Sequence, residues 1–235
     1  MDQELSLRER KKQKTRQLIA DTARELFARD GFENVSVAEI ARMAEVSETT
    51  VFNYFPTKED LVYHGLEAFE EQLLQAVRDR LPGEGVLQAF GRFIMQPRGL
   101  LAGSDPASAS ALQSASRLIA SSPALTAREQ QIHARYADSL AALLAEDTGA
   151  DPSDLTPQVV ANTLIGVHRA LIDYVRQRIE ADPDPRGLAR ALHAEGQRAL
   201  DLLAEGLASY SVRPPIPGAT PADPNPLIKY GEIHG

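Results

Sequence analysis

Apolar residues recur along most of this chain at intervals of three and four, the spacing that places side chains on one face of an α-helix. The clearest run is Val160, Leu164, Val167, Leu171 and Val175, whose members follow one another at 4, 3, 4 and 4 residues. No stretch of the sequence alternates apolar and polar residues as a half-buried β-strand would. The pattern therefore predicts an all-α protein of about nine helices, arranged in two parts.

Capping residues, prolines and glycines divide this pattern into separate helices. Ser122-Pro123 and Thr156-Pro157 each place a cap directly before a proline at the first helical position. The six prolines after Ser211 instead favour an extended tail. The predicted helices extend over about Arg8–Arg29, Ser36–Ala44, Ser47–Phe55, Thr57–Arg80, Gly85–Gln96, Ala107–Ser121, Ser122–Asp147, Thr156–Ala181 and Asp184–Tyr210.

The segment Ser36–Lys58 has the pattern of two short helices joined by a tight turn. Its first residue and Glu39 form a capping box for the first helix, and Ser47 can cap the second. Val51 and Phe55 are spaced i, i+4 and can pack against the first helix. The free face of the second helix carries the polar side chains of Glu48, Thr49, Thr50, Asn53 and Tyr54. Hydroxyl, amide and phenol groups on a short helix can contact base edges in a major groove, so the segment predicts a DNA-binding helix-turn-helix.

The same segment carries a family resemblance. The sequence VSETTVFNYFPTKEDL, Val46–Leu61, resembles the recognition helix and following helix start of tetracycline-repressor (TetR) family regulators, and Ala23–Phe32 is similar to the first helix of that family. The resemblance extends over roughly residues 8–66. It implies a homodimer with an N-terminal DNA-binding domain and a C-terminal domain that binds an effector. Glu45 departs from the glycine that is usual in the turn, so we expect a strained backbone if its φ is positive.

Charge is unevenly distributed along the chain. The formal net charge of −8 is unusual for a DNA-binding protein, but attraction to phosphates depends on the local potential. The segment Arg8–Arg16 is strongly basic, since its only acid is Glu9. Its basic residues are Arg8, Arg10, Lys11, Lys12, Lys14 and Arg16. This basic arm precedes the helix-turn-helix, so we expect it to contact the DNA backbone or minor groove.

We divide the chain into a DNA-binding domain over residues 1–56, a regulatory and dimerisation domain over 57–210, and a proline-rich tail over 211–235. The candidate DNA-binding residues are Lys11, Lys12, Lys14, Ser36, Thr49, Thr50, Asn53, Tyr54 and Lys58. Among them, Thr49, Thr50 and Asn53 are expected at the bases and the others at phosphates or in the groove. Tyr54 and Lys58 match the family's phosphate-contacting motif. Phe52 stands where the family often has a tyrosine and is a candidate core residue.

Aromatic and aliphatic residues in the second part can line a cavity among helices four to eight, although a filled core is the alternative for each of them. The candidates are Leu66, Phe69, Phe90, Phe93, Ile94, Leu112, Ile119, Tyr136, Leu140, His168 and Ile172. The run RLIASSPAL, Arg117–Leu125, resembles a domain of actinobacterial TetR regulators thought to bind acyl-CoA-like ligands. We therefore expect a repressor that a mostly apolar effector releases from double-stranded operator DNA, with acyl-CoA-like molecules as a candidate class. Helix four, continuous from Thr57, would act as the lever between the two domains.

Other classes of protein fit the sequence less well. The five histidines form no H-x-x-x-H pattern and no G-x-S-x-G motif is present, so we expect neither an enzyme nor a metal or cofactor site. A helical protein-interaction module is the alternative, and it would need neither a basic arm nor a polar recognition face. The absence of cysteine suits a reducing cytoplasm. The apolar segment Val159–Ile172 is interrupted by His168 and Arg169, so no membrane span is expected, and helices eight and nine are expected to form the homodimer.

Overall fold

The computed structural model describes residues 7–64, 66–96, 106–182 and 184–206. These residues form helices and no strands, which confirms the all-α prediction. The α-helices are Leu7–Asp30 (α1), Val37–Met43 (α2), Glu48–Tyr54 (α3), Leu66–Arg78 (α4), Val86–Ile94 (α5), Pro106–Ser121 (α6), Pro123–Thr148 (α7), Thr156–Ala181 (α8) and Pro185–Glu205 (α9). A single 3-10 turn, Glu59–Leu61, lies between α3 and α4. The predicted loop from Pro97, the end of helix nine after Gly206 and the proline-rich tail lie outside the described residues.

Several of the predicted capping residues lie at the ends of their helices. Ser36 Oγ accepts a hydrogen bond from the Glu39 N–H (3.1 Å), and Ser47 Oγ accepts one from the Thr50 N–H (3.0 Å). Gly149, with φ of 62°, ends α7 in the left-handed conformation that glycine adopts without strain. Ser36, Ser47 and Gly149 therefore bound their helices as predicted, whereas the predicted cap Thr156 is already the first residue of α8, because the helix begins after Leu155, which forms no side-chain cap.

Helix four is shorter than the sequence pattern predicts. The prediction of one helix from Thr57 to Arg80 is wrong, because the 3-10 turn is followed by the non-helical residues Val62–His64 and α4 begins only at Leu66. The buried Tyr63 hydroxyl donates to the Leu125 carbonyl at the start of α7 (2.9 Å), which holds the chain away from a continuous helical path. The following Gly65 also disfavours helix by about 1 kcal/mol. No continuous lever therefore connects the helix-turn-helix to the rest of the protein.

The first three helices with the 3-10 turn form an N-terminal unit, and α4–α9 form a C-terminal unit. One continuous apolar core spans both units, from Ile19 and Phe27 in α1 to Tyr136 and Leu140 in α7. Within the C-terminal unit, α7 packs along α8, and α8 in turn packs along α9. Because the core is continuous, the proposed domain boundary after residue 56 stays a prediction. None of the described helices combines the length and apolarity required to cross a membrane.

Candidate DNA-binding surface and effector cavity

The second helix of the helix-turn-helix, α3, presents a polar face to solvent. Val51 on its inner side is buried, whereas Thr49 and Asn53 are exposed. Thr50 is only half-buried and its Oγ lies 2.8 Å from Ser47 Oγ, so it also belongs to the helix cap. Tyr54 is half-buried and packs against the core. Thr49 and Asn53 are therefore the side chains of α3 that are best placed to meet base edges.

Two apolar side chains of the helix-turn-helix are exposed as well. Phe52 is 46% exposed, which corrects its assignment as a candidate core residue, and Met43 is 48% exposed. Phe52 lies outside the core because the inner side of α3 is already filled by Val51 and the C-cap residue Phe55. Exposed apolar groups on such a surface can contact thymine methyl groups. The residue type of Phe52 alone did not indicate that its side chain is exposed.

The turn between α2 and α3 holds a strained residue. Glu45 has a φ of 55°, the sole positive value among the described residues other than glycine, which confirms the expectation for this departure from the family pattern. Its N–H is 3.3 Å from the Arg42 carbonyl, and the next N–H, that of Val46, donates to the Ala41 carbonyl at 2.9 Å. These bonds keep the turn tight and fix the angle between α2 and α3.

The basic arm is the exposed start of α1. Lys11, Lys12 and Lys14 all lie in solvent, within a helix that ends in the core of the N-terminal unit. The Arg16 guanidinium lies 5.1 Å from the centre of the Phe55 ring at the end of α3. Arg16 therefore joins the basic arm to the end of the recognition helix.

Lys58 lies at the start of the 3-10 turn. Its Nζ is 4.2 Å from the centre of the Phe32 ring, a cation–π contact that restricts the half-buried side chain. Around the same turn, Thr57 and Asp60 form a reciprocal capping box, with nitrogen-to-oxygen distances of 3.0 and 3.3 Å. The predicted phosphate clamp thus begins a short turn instead of a long helix, and its local dipole is correspondingly small.

Three contacts join the N-terminal unit to the corner between α6 and α7. Arg128 donates to Asp60 Oδ1 through Nη2 (2.7 Å) and Nε (3.0 Å). Ser122, buried at the corner, donates to Glu33 Oε1 at 2.6 Å. The third contact is the hydrogen bond from Tyr63 to Leu125, and burial together with the nearby Glu129 charge raises the pKa of Tyr63. The corner, defined here as residues 121–128, therefore adds polar contacts between the two units to the apolar core that they share.

A cavity of about 360 Å³ lies between the end of α5 and helices α6, α8 and α9. Five of the predicted effector-binding residues line it, namely Ile94, Leu112, Ile119, His168 and Ile172. Four further lining residues were not predicted from the sequence. They belong to α9 and are Leu188, Ala189, Leu192 and His193. The amphipathic pattern of α9 identifies a buried face, but it does not show that this face borders empty space.

The remaining predicted effector-binding residues do not line this cavity. Phe90, Phe93, Tyr136 and Leu140 are all buried in the core, so the filled-core alternative applies to them. Phe69 stacks on His168 with ring centres 4.7 Å apart and lies behind the cavity wall. The physical reason is that the aromatic rings pack against one another, as the 5.3 Å separation of Phe69 and Phe93 shows. Leu66 begins α4, but its side chain lies outside the described part of the structure.

Polar groups are few in the cavity wall. Burial, with the nearby His133, lowers the pKa of His168 to about 4, so this imidazole is neutral near pH 7. Arg176 of α8 also lines the cavity and forms a two-bond ion pair with Glu129 of α7, with N–O distances of 2.8 and 2.5 Å. Glu129 directly follows Arg128 in α7. Glu129 binds Arg176 in the cavity wall, and Arg128 binds Asp60 in the N-terminal unit. No candidate metal-binding group of histidine and acidic side chains occurs in the described residues.

Comparison with known proteins agrees with this architecture. Residues 19–64 match the family model described as "Bacterial regulatory proteins, tetR family", and residues 99–208 match the "MftR C-terminal domain". The HTH-type transcriptional regulator TcmR of Streptomyces glaucescens is 32% identical over 216 residues, which cover 88% of this chain and 91% of TcmR. The "Putative mycofactocin biosynthesis transcriptional regulator MftR" of Mycobacterium tuberculosis is 30% identical over 166 residues, covering 67% of this chain and 78% of that protein.

The fold is also shared with a solved structure. NalD, the secondary repressor of the MexAB-OprM multidrug efflux pump in Pseudomonas aeruginosa, is 20% identical and superposes with a TM-score of 0.50, covering 80% of this chain and 97% of NalD. The fold and the helix-turn-helix surface define a DNA-binding transcriptional regulator. The chain belongs to the TetR family.

Proposed function

We propose that this regulator is a homodimeric repressor whose affinity for its operator is lowered by a mostly apolar effector bound in the cavity. The observation that carries the proposal is the course of α6. This helix contributes Leu112 and Ile119 to the cavity wall and ends at the corner, where Ser122 bonds to Glu33. An effector that displaces α6 would therefore move the contact surface of the N-terminal unit.

For the DNA complex, we assign base contacts to the exposed Thr49 and Asn53, with Thr50 at their edge. Tyr54, Lys58 and Ser36 would contact phosphates, and the lysines of the basic arm would add backbone or minor-groove contacts. Two recognition helices must lie about 34–36 Å apart to occupy successive major grooves. A small rotation of each N-terminal unit at its corner would spoil that spacing. A coupling of about 1–3 kcal/mol is enough to change operator affinity 5- to 150-fold.

The proposed dimer interface is formed by α8 and α9. One face of α8 exposes Val159, Thr163, Gly166 and Ala170, a surface of small and apolar side chains at helical spacing. A Cβ added at Gly166 meets no atom within 4 Å in the protomer, so a larger side chain there would disturb only a partner. We expect Gly166→Leu to give monomers and Gly166→Ala to remain dimeric in light scattering at micromolar concentration. A monomeric mass for the unchanged protein would refute the dimer.

The effector class to test first is acyl-CoA thioesters, because the apolar walls of the cavity can accept an acyl chain. The operator would be selected from a random duplex pool and labelled for fluorescence anisotropy. We expect a bound thioester to weaken the protein–operator complex. A ligand that binds the protein tightly but leaves operator affinity unchanged would refute the regulatory role, since an effector must distinguish the two states.

Selection from the random duplex pool also distinguishes a DNA-binding regulator from the competing class of protein. A helical interaction module without DNA specificity would retain no duplex preferentially over the starting pool. We propose no catalytic activity, since the relatives above are transcriptional regulators. A repressor that acts on operator DNA would work in the bacterial cytoplasm.

A further inference from the structure

The wall of the cavity is electrically balanced. Arg176 is the one formally charged side chain among the described residues that line it. Its charge is matched by Glu129, and the two side chains are 24% and 15% exposed. The described lining includes no carboxylate, and His168 is neutral near pH 7. Apart from the imidazole of His193, the described lining therefore offers no unpaired group that could bind a ligand's charge.

Arg176 nevertheless keeps hydrogen-bonding capacity. A guanidinium has five N–H donors, and the two bonds to Glu129 use one N–H on each terminal nitrogen. The ion pair with Glu129 also fixes the orientation of the Arg176 guanidinium before a ligand binds. Arg176 is thus a fixed donor at the edge of an apolar space.

Burying a charged ligand in this cavity would cost free energy, whether the ligand is an anion or a cation. A buried anion would lie near Glu129 and near Asp173, whose Oδ1 is 3.7 Å from Arg176 Nη1, without an uncompensated cation to bind. A buried cation would face the guanidinium without a lining carboxylate. An uncharged acceptor oxygen avoids both penalties and accepts a hydrogen bond from a charged donor.

We propose that the part of the effector held in the cavity is uncharged and mostly apolar, and that its carbonyl oxygen accepts a hydrogen bond from Arg176. Ketones, esters and thioesters supply such an oxygen. The proposal rests on the proposed function for its regulatory meaning, because it names the ligand class of the same cavity.

Three naphthalene probes of one skeleton test this chemistry. They are prodan, which is a dimethylaminonaphthalene with a propionyl ketone, the corresponding naphthoate anion, and the analogue in which a propyl chain replaces the propionyl group. We expect fluorescence titration of the full-length protein to show prodan binding about tenfold more tightly than either analogue, the difference that one hydrogen bond to a charged donor provides. Ala115→Phe, which fills the cavity from α6, should abolish binding of all three.

Variants of the ion pair identify the donor. Arg176→Met should remove the preference for prodan. Because it leaves Glu129 unpaired and can destabilise the fold, the double variant Arg176→Met/Glu129→Leu removes both charges together. Arg178→Met is the matched control, since Arg178 lies 3.8 Å from Asp182 and does not line the cavity.

Several results would overturn the proposal. These are naphthoate binding as tightly as prodan, a prodan preference that survives in both Arg176 variants, and no binding by any probe. Operator anisotropy separates this proposal from the proposed function. If prodan binds through Arg176 but no ligand changes operator affinity, only regulation fails; if a thioester releases operator equally from both Arg176 variants, only the ligand chemistry fails.

Discussion

The N-terminal and C-terminal units are built from the same kind of helix packing, but they differ in where they leave surface for a partner. The N-terminal unit is filled inside and carries exposed polar and basic groups outside, on α3 and the basic arm. The C-terminal unit instead leaves an apolar space inside, bordered by one paired arginine. Candidate DNA-contacting residues can therefore be recognised in the sequence, because their side chains must face solvent. A candidate effector site is harder to recognise, because it depends on the distances between packed helices.

The comparison is tested most strongly by two phenylalanines near the end of the recognition helix. Phe55 is 1% exposed and Phe52 is 46% exposed. We expect Phe55→Ala to reduce the free energy of unfolding by about 3–5 kcal/mol, because it leaves a hole in the core and removes the ring beneath Arg16. Phe52→Ala should change it by less than about 0.5 kcal/mol. Chemical denaturation measures both, and equal losses would show that the N-terminal unit is not packed as described.

Adding volume should have opposite consequences in the two units. Ala41, 3% exposed in α2, has no space for a larger side chain, so Ala41→Phe should cost about 1–3 kcal/mol of stability through overpacking. Ala115→Phe enters the cavity instead and should leave stability nearly unchanged while removing ligand binding. Thermal unfolding would compare the two variants. A large loss for Ala115→Phe would mean that the space is not available to a ligand.

On the DNA surface, base contacts and phosphate contacts should separate. We expect Asn53→Ala to relax sequence choice by about 1–3 kcal/mol. Lys58→Ala should weaken all duplexes alike and reduce the slope of log affinity against log salt concentration by about one. Anisotropy titrations at several salt concentrations with operator and scrambled duplexes provide both quantities. If Asn53→Ala left discrimination unchanged, its assignment to a base contact would be wrong.

The smallest expected effect concerns His168, the half-buried histidine in the cavity wall of the C-terminal unit. The folded-state pKa of His168 is about 4, below its ordinary 6.5, so between these values the unfolded chain binds a proton that the folded protein excludes. Stability should therefore fall as the pH decreases through this window, by about 1–2 kcal/mol given the partial exposure of the ring. His168→Gln should weaken this dependence in denaturation measured between about pH 7 and pH 5. His133, whose pKa is also lowered by burial, contributes with the same sign.

The features that were predicted from sequence are those fixed by neighbours along the chain. The caps at Ser36 and Ser47 and the whole of α8, Thr156–Ala181, follow from local residue chemistry and periodicity, and the strain at Glu45 follows from its departure from the family's glycine. The interruption before α4 did not follow, because it depends on a hydrogen bond between Tyr63 and Leu125, which lie 62 positions apart.

The effector cavity was predicted only in part for a related reason. Periodicity shows which side of a helix is buried, but not whether that side meets another side chain or a gap. Phe90 and Tyr136 have the same apolar character as Ile172, yet the first two fill the core and the third lines the cavity. The contribution of α9 depends on the order in which four helices pack, which no local pattern specifies.

The neighbouring positions of Arg128 and Glu129 on α7 have a consequence for how such a regulator can diversify. The bond from Arg128 to Asp60 lies outside the cavity lining, as does the bond from Ser122 to Glu33. Under the proposed function, side chains that determine which molecule fits can therefore change without altering the bonds that would transmit its binding. Substitutions in the lining residues of α6, α8 and α9 could therefore change which ligand binds. The operator and the proposed contacts between the two units would stay the same.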